Sequence, residues 1–70
     1  MTIKIGDVAV FKDPNVQQRE GTKHPVVFQV VKIDNNDVYI KATRFVDPIK
    51  SKGRKLKGIP TQIFKIEMFK

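Results

Sequence analysis

Residues 24–33 constrain the fold of this chain more than any other stretch. Val26, Val27, Phe28, Val30, Val31 and Ile33 crowd six apolar side chains into ten positions. The run is too short for the about 20 apolar residues of a membrane span. Four of the six are valines and one is an isoleucine, shapes that suit a pleated strand better than a helix. Apolar residues on both faces predict a strand buried on both sides. Such a strand is either central in a sheet or bent around a small barrel. The rest of the chain agrees with a β protein, having nine Val and eight Ile against one Leu and two Ala.

The other predicted elements follow from alternation and punctuation. Residues 8–12 read as a first strand, with Val8 and Val10 on one face and Ala9 and Phe11 on the other. Asp13-Pro14-Asn15 ends it, and residues 15–23, polar and containing Gly21, read as a long exposed loop. Asp34-Asn35-Asn36-Asp37 reads as a tight turn. Residues 38–43 then alternate: Val38, Ile40 and Ala42 toward the core, Tyr39, Lys41 and Thr43 toward solvent. Residues 54–59 read as a short strand pairing with 38–43. Pro60-Thr61-Gln62-Ile63 reads as a tight turn of 3₁₀ type, and residues 65–69 as the closing strand, with Ile66 and Met68 on one face.

Seventy residues bound the chain to one small domain, 1–70, with a marginal core. The chain has no cysteine, so disulfides and thiolate metal sites are excluded. This agrees with a reducing cytoplasmic setting. Stability must come from packing or from self-association, so monomer and homodimer both stay open. The first seven residues show no apolar run of leader length, and no long basic-and-apolar helix points to a membrane surface. The excess of Lys over Arg, eleven to three, is the bias of an AT-rich source such as a phage or a low-GC bacterium.

Charge gives the functional expectation. Residues 44–58 hold six of the fourteen basic residues, Arg44, Lys50, Lys52, Arg54, Lys55 and Lys57, against one acid, Asp47. That is a local charge of +5 out of a total of +7. A concentrated positive patch attracts polyanions, and nucleic acid, DNA or RNA, is the commonest in a cell. Lys41 extends the patch, and Tyr39 beside it is a candidate for stacking on a base. The expected contacts position the chain on the phosphate backbone and carry little sequence specificity. An acidic protein partner explains the charge equally well and is the alternative, with the chain acting as a small modulator of another protein.

Catalysis is not expected. No phosphate-cradling glycine loop, nucleophile elbow or catalytic carboxylate pair is present. His24 is the single histidine and has neither a metal-ligating companion nor a nucleophile partner. The 34–37 acids lack the glycine and distal glutamate of a calcium loop. No cofactor is expected.

The order of predicted elements resembles the SH3-like small barrel. The residues that carry the resemblance are Gly6-Asp7-x-Val-x-Val, then Val30-Val31-Lys32-Ile33 running through a short turn into Val38-Tyr39-Ile40, then Pro60-Thr61-Gln62-Ile63-Phe64-Lys65-Ile66. It implies an all-β fold, a five-stranded barrel with one short 3₁₀ turn before the last strand. Within that architecture the glycines of the KOW motif are absent around Gln29. Gln62-Ile63-Phe64 resembles part of the pore segment of the small trimethoprim-resistant dihydrofolate reductases, with Thr61 and Phe64 departing from it.

Overall fold

The computed structural model describes residues 3–70. Met1 and Thr2, which begin the stretch read above as leaderless, lie outside the described residues. The elements are a helix α1 (Pro14–Lys23) and strands β1 (Val26–Asp34), β2 (Asp37–Phe45) and β3 (Gln62–Lys65). Single 3₁₀ turns occupy Leu56–Gly58 and Ile66–Met68. The strands form one antiparallel sheet in the order β1-β2-β3. No helix among the described residues is long and apolar enough to cross a membrane.

This corrects the expected five-stranded SH3-like barrel: the sheet has three strands and is open. Three predicted strands are absent, 8–12, 54–59 and 65–69, and β3 takes the place of the second of them. Residues 8–12 are extended but divide their bonds between two neighbours. Ala9 N donates to Phe28 O at 2.9 Å, and Val30 N donates to Asp7 O at 2.9 Å, both toward β1. Lys12 N donates to Met68 O and Lys70 N to Val10 O, both at 2.9 Å, toward the C-terminal segment. Each side therefore reduces to one isolated bridge, Val8 to Gln29 and Phe11 to Phe69. The predicted closing strand, residues 65–69, instead curls into the second 3₁₀ turn, where Phe69 N donates to Ile66 O at 3.2 Å.

The predicted loop at 15–23 is also corrected, because it is α1. Its start is encoded by Asp13-Pro14. The Asp13 carboxylate accepts from Asn15 N at 2.9 Å, and its carbonyl accepts from Gln17 N at 3.0 Å. Proline suits the first turn, whose N–H groups lack helical partners. His24 N, bonded to Glu20 O at 2.9 Å, closes the other end. No residue of the helix is fully buried. The apolar stripe that normally reveals a helix is therefore missing.

A third correction concerns the third strand. Residues 54–59 do not pair with β2; β3 does, through Asp37–Lys65, Val38–Phe64, Tyr39–Ile63 and Ile40–Gln62. Pro60 and Gly58 oppose a ladder, and the strand begins just beyond them. The predicted 60–63 turn thus gives way to the start of β3. Finally, the central strand is β2, and the crowded β1 lies at one edge.

Two register shifts let β1 carry apolar residues on both faces. One lies between Val30 and Lys32 and the other between Val27 and Phe28. The first leaves Val31 opposite no partner and 44% exposed. Bulges of this kind bend a strand and sharpen its twist. The inner face keeps Val26, Phe28 and Val30 buried against Val38, Ile40 and Ala42. Ala9 and Phe11 of the N-terminal arm complete it, and Val8 and Val10 face out. Phe11 stacks on Phe69 and meets Phe64 edge-on, both at 4.9 Å between centroids. This aromatic group ties the arm to β3 and the C-terminus.

Candidate nucleic-acid interface

The basic segment is a loop closed by its own hydrogen bonds. Asp47 Oδ1 accepts from Ile49 N at 3.1 Å and from Lys50 N at 3.2 Å. Ser51 N donates to Asp47 O at 3.1 Å, and Arg54 N donates to Ser51 O at 3.0 Å. Gly53 takes φ 88°, a left-handed value that side chains with a Cβ resist. Ser51 is buried, and Leu56 and Ile59 pack against the core. Three inward anchors thus hold the loop while the cations between them point to solvent.

All seven cations of the expected site, Lys41, Arg44, Lys50, Lys52, Arg54, Lys55 and Lys57, are exposed. Four of them come together. Lys41 and Lys57 line a shallow groove of about 410 Å³ with Ala42, Leu56 and Ile59. Arg54, Lys55 and Lys57 line a second of about 520 Å³ with Phe45 and Leu56. The two share Leu56 and Lys57, so they form one basic surface with an apolar floor. β3 ends opposite Ile40, which leaves this end of β2 free of a strand partner on that side. Arg44, Lys50 and Lys52 line neither groove; Arg44 stands opposite Val27 at the β1 side.

Tyr39 lies on the outer face of the sheet. It is opposite Lys32 on β1 and Ile63 on β3. The Lys32 ammonium sits 5.2 Å from the ring centroid. Lys41, two residues along the same strand, faces the same way. An exposed cation over a ring contributes about 0.5–1 kcal/mol. A base stacked on an aromatic contributes about 1–3 kcal/mol, so a base can displace the lysine. Lys32 is not among the expected site residues, although the sequence carries a signal for it. A two-residue turn at Asn35-Asn36 pairs Asp34 with Asp37, and counting back places Lys32 opposite Tyr39. Ile63 is singled out in the sequence only within the Gln62-Ile63-Phe64 resemblance and not as a neighbour of Tyr39.

The loop cations carry their charge uncompensated. Among the described residues the single ion pair is Lys65–Asp37 at 2.8 Å, away from the loop. Its hydrogen bond and then its charge raise the Lys65 pKa above the ordinary lysine value. Asp47, the one acid in the loop, is held by backbone N–H groups. His24 meets the Phe28 ring edge-on at 6.5 Å, and no group of three or more metal-ligating side chains occurs among the described residues. The cavity between α1 and the N-terminal arm, about 150 Å³, is lined by Val8, Val10, Phe28 and Val46 and by none of the loop cations. Arg19 and Lys23, on α1, line neither basic groove. No protein-family model, curated protein or solved structure matches the chain.

Proposed function

We propose that this chain is a small binding module for nucleic acid, gripping the phosphate backbone with little sequence preference. The observation that carries the proposal is the convergence of Lys41, Arg54, Lys55 and Lys57 around Leu56 with no acid paired to them. Cations so arranged have nothing to give up on binding a polyanion, and each neutralised phosphate releases condensed counterions.

The test is a salt series on generic DNA and RNA. Four contacts give a log–log slope of about −3 on a single strand and about −3.6 on duplex DNA. Changing Lys41, Arg54, Lys55 and Lys57 to Gln should flatten that slope, whereas changing Arg44, Lys50 and Lys52 should leave most of it. No detectable binding at low salt sinks the proposal.

One observation favours a second reading, an acidic protein partner. Ile49 is 86% exposed and Val46 is 68% exposed, both within the basic loop. Exposed apolar residues among cations suit a protein surface better than a phosphate chain. Ile49→Ser should weaken capture of such a partner and leave nucleic-acid affinity unchanged.

A further inference from the structure

The outer face of the sheet carries a feature that phosphate binding does not use. Lys32, Tyr39 and Ile63 form one row across all three strands. Ile63 is 56% exposed, and Lys32 is exposed beside the half-buried Tyr39. Lys41 stands in the next row, opposite Gln29, whose side chain is already bonded to Gly6 O at 2.8 Å. Two acids share this face one row away from Tyr39, on the side opposite Lys41: Asp37, held by Lys65, and the exposed Asp34. Lys41 also lines the basic groove. A ring, an exposed aliphatic side chain and two cations therefore lead without interruption into the cluster of Lys57, Arg54 and Lys55.

We propose that the ligand of this surface is a single-stranded nucleic acid. One base stacks on Tyr39 against Ile63, displacing Lys32 onto a neighbouring phosphate, and the backbone runs over Lys41 into the basic groove. Duplex bases are stacked on one another and cannot offer a face to the ring, whereas splayed single-strand bases can. The inference rests on the phosphate-binding proposal above, and adds the strand state and the residues Lys32, Tyr39 and Ile63.

The chain supplies its own probe. Tyr39 is its one tyrosine and it has no tryptophan, so intrinsic fluorescence excited in the tyrosine band reports on this ring. The intact protein is titrated at low salt with an oligothymidylate of about ten nucleotides, within the span of single-strand sites. Parallel titrations use a duplex of equal length, inorganic polyphosphate and poly-glutamate, with binding followed independently by anisotropy or competition. Saturable quenching by the oligothymidylate, absent with duplex and polyphosphate, is expected. Tyr39→Ala should weaken the oligothymidylate about tenfold and leave polyphosphate unchanged, and Tyr39→Phe should bind as wild type. If the oligothymidylate binds with the expected salt slope but leaves the fluorescence unchanged, the stacking inference is overturned and the phosphate-binding proposal stands. Loss of all binding to nucleic acid and polyphosphate overturns both. Tighter binding of poly-glutamate than of the oligothymidylate overturns both in favour of an acidic protein.

Discussion

Asp13-Pro14 and Asp47-Pro48 begin two segments with the same chemistry and different outcomes. Each aspartate accepts backbone N–H groups just beyond its proline, and each carbonyl accepts from the residue four on: Gln17 at 3.0 Å, Ser51 at 3.1 Å. The first start runs for ten residues as α1. The second stops after about a turn, at Gly53. Glycine alone does not decide this, since Gly21 lies inside α1. The placement of charge differs. In α1 no cation lies in the first turn, and Lys23 falls in the last, where the helix dipole favours it. In the loop Lys50 sits in the first turn, where the dipole opposes it. A segment loaded with cations from its first turn makes a poor helix. The loop keeps the cap and gives up the helix.

Of the two caps, the larger effect should come from the one that has a helix to lose. Asp13→Ala should cost about 1 kcal/mol of unfolding free energy. In a domain this size that lowers Tm by roughly 4–8 °C. Urea or thermal melts followed by circular dichroism measure it, and nucleic-acid affinity should not change. Asp47→Ala should leave the global midpoint nearly in place and speed amide exchange at Ile49 and Lys50. Equal midpoints for the two variants would erase the distinction between helix and loop.

Gly53 comes next. No heavy atom lies within 4 Å of a Cβ built there, so a substitution meets only backbone strain. Gly53→Val should cost roughly 1–2 kcal/mol, and Gly53→Asn much less, since asparagine visits the left-handed region. Equal melting points for the two variants would show that the loop abandons its φ 88° turn at no cost.

How far the sequence disclosed these two segments depends on what each lacks. Strands β1 and β2 were legible because alternation over Val38, Ile40 and Ala42 has one physical meaning, and those residues are 0%, 0% and 7% exposed. For residues 8–12 the division into two faces was legible, but not that Ala9 and Phe11 are the buried pair. The helix was not legible by periodicity, because its one partly buried apolar residue is Val16. Its one local signal is the cap, Asp13-Pro14, a pair that equally suits the end of a strand. The number of strands was not legible. Whether an extended arm forms a ladder or splits its bonds between two neighbours depends on tertiary position, and residues 8–12 split theirs. In the candidate site the cations were visible by composition. Which four converge depends on Leu56 and Ile59 packing inward, a long-range contact that no local pattern encodes.

Lys50 tests the trade between cap and charge directly. Lys50→Glu places an acid in the first turn after Asp47, with the spacing of a capping box. It should add about 0.3–1 kcal/mol of stability if the turn accepts it. Affinity for a polyanion should fall slightly at the same time. Opposite signs in the melt and the salt series are the expected pattern. A loss in both would mean that Lys50 supports the loop in ways that the dipole argument omits.

The smallest effect concerns the carboxylate that does what Asp47 does not. Asp37 binds a lysine, Lys65, at 2.8 Å, whereas Asp47 spends its carboxylate on backbone N–H groups. The hydrogen bond to Asp37 raises the Lys65 pKa. A raised lysine pKa favours the folded state wherever lysine is charged in both states, and that gain is lost as pH climbs through the folded pKa. The contribution is therefore present in full at neutral pH and disappears only in strong alkali. The pair is exposed, with side-chain accessibilities of 61% and 42%, and solvent-screened pairs stabilise little. Lys65→Met should leave the neutral-pH melt almost unchanged and remove a slight alkaline decline seen in wild type. A large neutral-pH loss in Lys65→Met would mean that an exposed aspartate–lysine pair is worth more here than either aspartate cap. The contrast between the two Asp-Pro starts would then no longer be the main electrostatic feature of the fold.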